Sequence, residues 1–274
     1  MQVPVSRILL VKPSALGDVC RTMPVLASLR AHFQQARIDW LVQEDFADAV
    51  RGHPSVTDVV AFPRKAWRRW WSPSSIAGVR GFLRALREAR YDVAIDLQGL
   101  FRSGLFTGAT RAARRIGWRD AREFAWLGLN ERHARRGVPD ATERMLALLE
   151  DAGVPAVRDA RMHLPAGVAD AWKTRRESLG LREGYVALAP TSRWASKRWP
   201  AARWRALAET LVARGMPVAM LGAPDEAAQV SAAMPSSGAV NLCGRIGLAE
   251  WLGAIAGSAA VVANDSAAAH AAVG

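Results

Sequence analysis

The segment PSALGD (Pro13–Asp18) places a carboxylate between a short apolar run and a predicted helix. In open α/β sheets ligands bind beyond the carboxyl ends of the strands, so this loop is expected to face a cleft, with Asp18 at the start of the helix. From the spacing alone, the favoured role of Asp18 is that of a helix N-cap, a position at which Asp is among the preferred residues. The segment lacks the GxGxxG pattern of dinucleotide sites, which counts against a nicotinamide enzyme.

A second polar loop, TSRWASKRWP (Thr191–Pro200), follows the predicted strand YVALAP. Its two hydroxyl residues, Thr191 and Ser192, precede Lys197, whose ammonium group is suited to neutralise a phosphate as a point charge. A solvated basic loop is the alternative interpretation.

Two further loops in the second half also follow predicted strands. In GAPDE (Gly222–Glu226) an acid could accept hydrogen bonds from ribose hydroxyls, or simply complement a helix dipole. In NDSAAAH (Asn264–His270) a strand, Asp-Ser and a helix start would offer amide groups and a hydroxyl to a diphosphate. A lone histidine such as His270 is otherwise more often a partly buried structural residue.

The segment RKAWRRWW (Arg64–Trp71) interleaves basic and aromatic residues, a pattern found in nucleic-acid sites and at membrane interfaces. No nucleic-acid-binding signature accompanies it, and a solvated loop with one or two tryptophans packed beneath is the alternative. Further basic residues in this half are Arg102, Arg111, Arg114, Arg115, Arg119, Arg122, Arg132 and Arg135.

Strands alternating with helices must position these loops. In the first half we predict helices most clearly at Val19–Phe33 and Ile76–Ala89. The predicted strands there are Arg7–Lys12, Arg37–Val42, Val56–Phe62, Tyr91–Leu97 and Arg114–Trp118. Continuous apolar runs separated by helices indicate a parallel, doubly wound α/β domain.

The pattern restarts after Leu164-Pro165, which predicts domains at 1–165 and 166–274. Helices are predicted at Ala166–Leu179, Ala202–Arg214, Leu248–Ala256 and from about Asp225. Strands or strand-like runs are predicted at Tyr185–Pro190, Pro217–Gly222, Ala239–Gly244 and Ala259–Asp265. AAAHAAVG resembles the first turns of a helix, so we expect the second domain to be incomplete at its C-terminal end.

Composition narrows the class of protein. The chain has 274 residues, half of them hydrophobic, and a formal net charge of +12, which favours a polyanionic partner unless codon bias explains the arginine. Cys20 and Cys243 are too few for a disulfide framework or a zinc site. No apolar run reaches the roughly 18–20 residues that span a bilayer, and no signal peptide is evident, so a cytoplasmic protein is expected.

The order of the motifs is more specific than any one of them. LLVKPSALGD, DLQGLFRS, AREFAWLGLN, PTSRWASKRWP, GAPDE and NDSAAAH together resemble the lipopolysaccharide heptosyltransferases of glycosyltransferase family 9, most closely the heptosyltransferase I type. The resemblance runs from about Arg7 to the last residue. It implies a GT-B fold, in which two Rossmann-like domains face a cleft. It also implies inverting, metal-independent transfer of L-glycero-D-manno-heptose from ADP-heptose to the 3-deoxy-octulosonic acid (Kdo) of lipid A, without a cofactor.

The resemblance also assigns roles. Asp18 matches the catalytic base, and Lys197 would assist by stabilising the ADP leaving group. The positions that match the donor site are Thr191, Ser192, Lys197, Glu226, Asp265, Ser266, Ala267 and His270.

An anionic, membrane-embedded acceptor would explain the basic first domain. The candidate acceptor-binding residues are Lys12, Arg64, Lys65, Arg68, Arg69, Arg102 and Arg122. Trp67, Trp70 and Trp71 are expected to touch the membrane interface, in a peripheral association at the cytoplasmic face of the inner membrane.

Two departures from the family pattern leave alternatives open. The family normally has Gly where this chain has Ala267, and it continues beyond this point with a GPTDP-like loop and further strands. The alternatives are a relative that uses another nucleotide sugar or acceptor, and a non-catalytic module that binds anionic lipid or glycan. Nucleic acid is not the expected partner.

Overall fold

The structure, a computed structural model, describes residues 5–68 and 71–274. The chain divides into two compact units, unit 1 ending at His163 and unit 2 comprising Leu164–Gly274.

Unit 1 is built on a parallel sheet of six strands within the described residues, in the order β3-β2-β1-β4-β5-β6. This order is the one found in dinucleotide-binding doubly wound folds. The strands are β1 (Arg7–Val11), β2 (Arg37–Gln43), β3 (Asp58–Phe62), β4 (Val93–Asp96), β5 (Arg114–Trp118) and β6 (Glu131–His133).

The central strands are buried because their apolar runs meet helices on both faces. Ile8, Leu9, Leu10 and Val11 of β1 have no exposed surface. Val11 pairs with Asp96 of β4 on one side and with Leu41 of β2 on the other. The loops after these strands therefore leave the sheet at the same edge.

The helices of unit 1 differ from the prediction at one clear point. They are α1 (Leu16–Cys20), α2 (Met23–His32), α3 (Asp48–Arg51), α4 (Pro73–Glu88), α5 (Phe101–Ala109) and α6 (Ala141–Asp151). The single helix predicted over Val19–Phe33 is wrong, because α1 ends before α2 begins. Pro24 has no N–H to donate to Cys20, four residues earlier, so one continuous helix is disfavoured.

Unit 2 also has a parallel sheet with helices between its strands. Among the residues described, this sheet has four strands in the order β10-β7-β8-β9. Its strands are β7 (Val186–Ala189), β8 (Val218–Met220), β9 (Ala239–Asn241) and β10 (Ala260–Ala263). Its helices are α7 (Val168–Ser178), α8 (Ala201–Ala213), α9 (Ala227–Ala233), α10 (Leu248–Ala256) and α11 (Ala267–Val273).

The core of unit 2 lies between the central strands and α8. Leu188 of β7, Val218 and Met220 of β8 and Trp204 of α8 are buried together. On the other side of the sheet, the Trp172 indole N–H donates to the Tyr185 hydroxyl at 3.0 Å, which in turn donates to the carbonyl of Ala254 in α10. These contacts hold the sheet that carries the three polar loops of the second half.

Candidate functional site

Each sheet has one point at which its strand order reverses. In unit 1 the chain passes from β1 to β2 and β3 and then returns to β4 on the other side of β1. In unit 2 it passes from β7 to β8 and β9 and returns to β10 on the other side of β7. Loops diverge at such switch points and leave a crevice in which α/β proteins bind ligands.

Asp18 lies at the switch point of unit 1, beside a lysine. Its side chain is 44% exposed, whereas that of Lys12 is only 8% exposed, and the Lys12 Nζ lies 3.6 Å from the Asp18 Oδ2. Lys12 also donates to the carbonyl of Leu97 at 3.1 Å, which ties the loop after β1 to the loop after β4. A buried cation and a more exposed carboxylate therefore share this crevice.

Asp18 is not a helix cap. The N-cap of α1 is Ala15, and Asp18 occupies the third helical position, so the capping interpretation is wrong. The carboxylate stands on the first turn of a helix that begins at the edge of the sheet.

Asp96, at the end of β4, shapes the other side of this crevice. One carboxylate oxygen accepts from the backbone N–H groups of Gln98 at 2.8 Å and Gly99 at 2.9 Å, and the other accepts from the Ser103 hydroxyl at 2.9 Å. Burial raises the pKa of Asp96, against these hydrogen bonds and the charge of Lys12. The DLQGLFRS motif thus owes its loop conformation to a buried acid that the sequence had not singled out.

Arg135 is a basic group at this switch point that was not among the acceptor candidates. Its guanidinium lies 4.6 Å from the ring centroid of Trp118 and pairs with Asp120 at 3.0 Å. It also passes 3.6 Å from the position that a Cβ on Gly99 would take. The pKa of Lys12 is lowered from its ordinary value, chiefly because its ammonium group is buried. The carboxylates of Asp18 and Asp96 act in the opposite direction, and the charge of Arg135 adds to the lowering.

The switch point of unit 2 brings together three of the predicted donor residues. Lys197, from the loop after β7, places its Nζ 2.5 Å from the Oδ2 of Asp265, from the loop after β10. The His270 Nε2 lies 3.5 Å from the other carboxylate oxygen of Asp265. The Lys197 side chain is 44% exposed and therefore accessible to a ligand.

Asn264 joins the same two loops through its side chain. The side-chain amide nitrogen donates to the Pro190 carbonyl at 2.7 Å, and the side-chain oxygen accepts from the Trp199 backbone N–H at 3.1 Å. Thr191 and Ser192 follow β7 after Pro190 and are almost completely buried. The base of the site is thus held by hydrogen bonds between the Asn264 side chain and the backbone, while the Lys197 side chain is more exposed.

Glu226 and Ala267 complete the predicted donor set. Glu226 lies beyond β8, where its carboxylate accepts from the Ala223 N–H at 3.0 Å, as expected for an acid that begins a helix. Ser266 is the N-cap of α11, and Ala267 is its first residue, with an ordinary helical backbone. Alanine therefore fits here without strain, and its Cβ is the whole difference from glycine.

The basic acceptor candidates lie in the loops and helix starts that follow the strands of the unit 1 sheet. Arg64 donates to the Gln43 side chain at 3.3 Å, and Lys65 pairs with Asp45 at 2.8 Å, which lowers the pKa of that carboxyl. The Arg102 guanidinium lies 5.7 Å from the centroid of the Phe62 ring. Lys65 and Arg68 also line an open pocket of about 580 Å³ together with Ala66, Ser72 and Ser74.

Two acceptor candidates remain, Arg122 and Arg69, and only Arg122 lies within the described residues. Arg122 is exposed, and its backbone N–H donates to the Gly99 carbonyl at 2.9 Å. Arg69 and Trp70 lie outside the described residues.

Two tryptophans of the predicted interface group are described, and they differ. Trp67 is half-buried and packs against the core, with its ring centroid 6.1 Å from that of Phe62 and 5.3 Å from that of Phe82. This packing agrees with the alternative of a tryptophan beneath a solvated loop, and contact of Trp67 with a membrane stays a prediction. Trp71 is 64% exposed.

Residues 5–68 and 71–274 contain neither a cluster of metal-ligating side chains nor a helix that could span a membrane. No group of three or more His, Cys, Asp or Glu side chains in those residues is placed to hold a metal ion. None of the helices described there is both long and apolar enough to cross a membrane.

The chain matches known proteins over most of its length. The profile of glycosyltransferase family 9 (heptosyltransferase) matches residues 79–274. Lipopolysaccharide heptosyltransferase 1 of Pseudomonas aeruginosa is 31% identical over an alignment of 279 positions, which covers 96% of this chain and 74% of the relative.

Solved structures agree with this match. The structure of E. coli heptosyltransferase WaaC with ADP is 27% identical, with a TM-score of 0.76 over 97% of this chain and 83% of that one. The same enzyme with ADP-2-deoxy-2-fluoro heptose is 26% identical, with a TM-score of 0.73 over 97% and 85% of the two chains. The predicted GT-B class, with two Rossmann-like units, and the resemblance read from the motifs are both confirmed. The chain belongs to glycosyltransferase family 9, the heptosyltransferase family, and is a glycosyltransferase.

Proposed function

We propose that this protein transfers L-glycero-D-manno-heptose from ADP-heptose to the Kdo residue of lipid A, with inversion and without a metal ion, in the assembly of the lipopolysaccharide core. The observation that carries the proposal is the contact of Lys197 with Asp265 across the β7/β10 switch point. The related E. coli enzyme has been crystallised with ADP and with an ADP-heptose analogue, which supports an ADP-sugar as the donor.

In the donor site, Lys197 neutralises the diphosphate. Its ammonium is already held at the strand ends by Asp265, so little reorganisation is needed when a phosphate oxygen replaces water beside it. Charge accumulates on the β-phosphate as the bond to the sugar breaks, and a fixed cation stabilises that charge more in the transition state than in the ground state. Lys197 thereby supplies the positive charge for which other transferases employ a divalent cation.

Asp18 acts as the general base on the acceptor. The Kdo hydroxyl oxygen bonds to the anomeric carbon of the heptose, the bond from that carbon to the ADP oxygen breaks, and the hydroxyl proton passes to the Asp18 carboxylate. A carboxylate is a weak base towards a free alcohol, so the proton moves only as C–O bond formation makes the hydroxyl acidic. A single displacement of this kind inverts the anomeric configuration.

The acceptor is held by the basic edge of unit 1. Kdo carboxylates and lipid A phosphates are anionic, and arginine binds both through paired N–H donors. Arg64, Lys65, Arg68, Arg102 and Arg122 are the proposed contacts. Because lipid A is membrane-embedded, we place the protein at the cytoplasmic face of the inner membrane as a peripheral enzyme.

Donor selectivity tests this function. Incubation of the chain with Kdo-lipid A and either ADP-heptose, a UDP-sugar or a GDP-sugar is expected to release nucleotide only from ADP-heptose, with a product heavier by one heptose. Addition of EDTA is expected to leave the rate unchanged. Consumption of a UDP-sugar alone would contradict the heptose assignment, and inhibition by EDTA would contradict metal independence.

Arg135 gives a separate prediction for the acceptor. Arg135→Gln is expected to raise the KM for Kdo-lipid A by about 10–100-fold, since a hydrogen bond to a charged group contributes about 1.5–3 kcal/mol. The KM for ADP-heptose should not change. The control is Arg119→Gln, which removes an equal charge from the segment after β5. Equal effects of the two changes would show that Arg135 contributes only to the net charge.

A further inference from the structure

Exposed apolar side chains gather on two elements of unit 1 that pack against each other. Phe101 and Leu105 are four residues apart on α5 and are 57% and 39% exposed. Phe124 and Leu127 are 69% and 66% exposed at the short 3-10 helix Ala125–Gly128. Residues four apart share one face of an α-helix, and Phe124 immediately precedes the 3-10 helix that carries Leu127. We call these four residues the apolar ridge.

Glycines bring the two elements into backbone contact. A Cβ on Gly104 of α5 would lie 2.4 Å from the Ala125 carbonyl oxygen, and one on Gly108 would lie 3.1 Å from the Cα of Gly128. Phe101 is three residues before Gly104 and so lies beside this contact on α5, and Phe124 directly precedes Ala125. The ridge is therefore one local surface, although its members come from two segments.

The backbone of the second element is strained where it presents the ridge. Glu123 and Phe124 have φ values of +54° and +59°, a region that residues other than glycine rarely adopt, and Phe124 ends up largely exposed. The Glu123 carboxylate accepts from the Phe101 N–H at 3.2 Å and fixes this turn against the start of α5. Exposing a large aromatic side chain through a strained turn has no benefit for the core, so it indicates a contact outside unit 1.

Basic residues adjoin the ridge. Arg102 follows Phe101, and Arg122 precedes Glu123. The Arg132 guanidinium lies 5.1 Å from the ring centroid of Trp126, a residue between Phe124 and Leu127 in the sequence. Apolar side chains interspersed with arginines are the combination that binds the interface of an anionic bilayer, because the apolar groups enter the acyl boundary while the cations meet the headgroups.

We infer that the apolar ridge is the surface by which unit 1 docks on an anionic lipid bilayer. α5 begins at the carboxyl end of β4, the edge that also carries Asp18, so docking there would bring a membrane-embedded acceptor to the catalytic edge of unit 1. The inference deepens the proposed function and rests on it for the nature of the acceptor.

Vesicle binding tests the inference. The double variant Phe124→Asn, Leu127→Gln removes two exposed apolar groups, and asparagine tolerates positive φ, so the fold should be retained. Co-sedimentation with vesicles of mixed phosphatidylcholine and phosphatidylglycerol is expected to fall at least about tenfold relative to the parent chain. The matched double variant Met216→Gln, Val273→Gln removes exposed apolar groups from unit 2 and should bind as the parent does.

The other outcomes are distinguishable. Equal binding by both double variants, or no binding by the parent chain, overturns the docking surface. Parent chains that associate with one another in sedimentation velocity, and are separated by Phe124→Asn with Leu127→Gln, would make a second copy the occupant and also overturn it. With a deacylated, water-soluble Kdo acceptor the ridge variant should turn over ADP-heptose normally. Absence of turnover by every form, with vesicle binding intact, would refute the proposed function and not the docking surface.

Discussion

Asp18→Asn is expected to lower kcat for heptose transfer by about 10²–10⁴-fold, the usual contribution of a general base. Asparagine has nearly the same shape but cannot accept the acceptor proton. Donor affinity should remain nearly unchanged, because the proposed donor contacts all come from unit 2. Steady-state release of ADP, together with calorimetric titration of ADP, measures both quantities.

Asp48→Asn is the matched control for this change. Asp48 is also a partly exposed carboxylate on a short helix of unit 1, with a side chain 36% exposed and paired with Arg51 at 2.7 Å. Its replacement should leave turnover unchanged. If Asp18→Asn and Asp48→Asn turn over substrate equally, Asp18 has no role as a base, whatever its position at the switch point.

The position of Lys12 affects how the Asp18 result is interpreted. The Lys12 ammonium is anchored on the Leu97 carbonyl, so it stays in place when Asp18 loses its charge. A fall in kcat without a change in the thermal unfolding midpoint would therefore report chemistry. A lower midpoint would instead report a buried ammonium left without its carboxylate partner.

The gathering of the polar loops at the strand ends could be predicted from the sequence. Runs such as RILLV and VALA have no polar interruption, and parallel strands joined by helices place their following loops at one edge. The contact of Lys197 with Asp265 follows once β7 and β10 are neighbours. That pairing depends on strand order, which local patterns do not encode.

Other features lacked a local signal. β6 is the charged tripeptide Glu131–His133, which has no apolar run, so neither the strand nor the approach of Arg135 beyond it was predicted. The neighbours of Trp67 in sequence are basic, but its neighbours in space, Phe62 and Phe82, are aromatic, and this long-range packing has no local signal. The break between α1 and α2 does have one, the missing N–H of Pro24.

Lys197→Met is expected to weaken ADP binding by about 10–100-fold, because a charge-assisted hydrogen bond contributes about 1.5–3 kcal/mol. Methionine keeps much of the side-chain length and removes the charge. It also leaves the Asp265 carboxylate without the ammonium 2.5 Å away, so a bound diphosphate would face that negative charge directly. Calorimetric titration of ADP at low and high salt measures the loss, which should shrink as salt screens the charges.

Two further variants separate the phosphate role from general effects of charge. Lys173→Met, on the exposed side of α7 in the same unit, removes an equal charge and should leave ADP affinity unchanged. Asp265→Asn combined with Lys197→Met removes both charges of the pair, so it should bind ADP more tightly than Lys197→Met alone, because the negative charge of Asp265 that would repel the diphosphate is gone. An ADP dissociation constant that is the same in the parent chain and in Lys197→Met would contradict the phosphate role. The switch point of unit 2 would then lose its central cation, and the donor site would have to be sought elsewhere in the family fold.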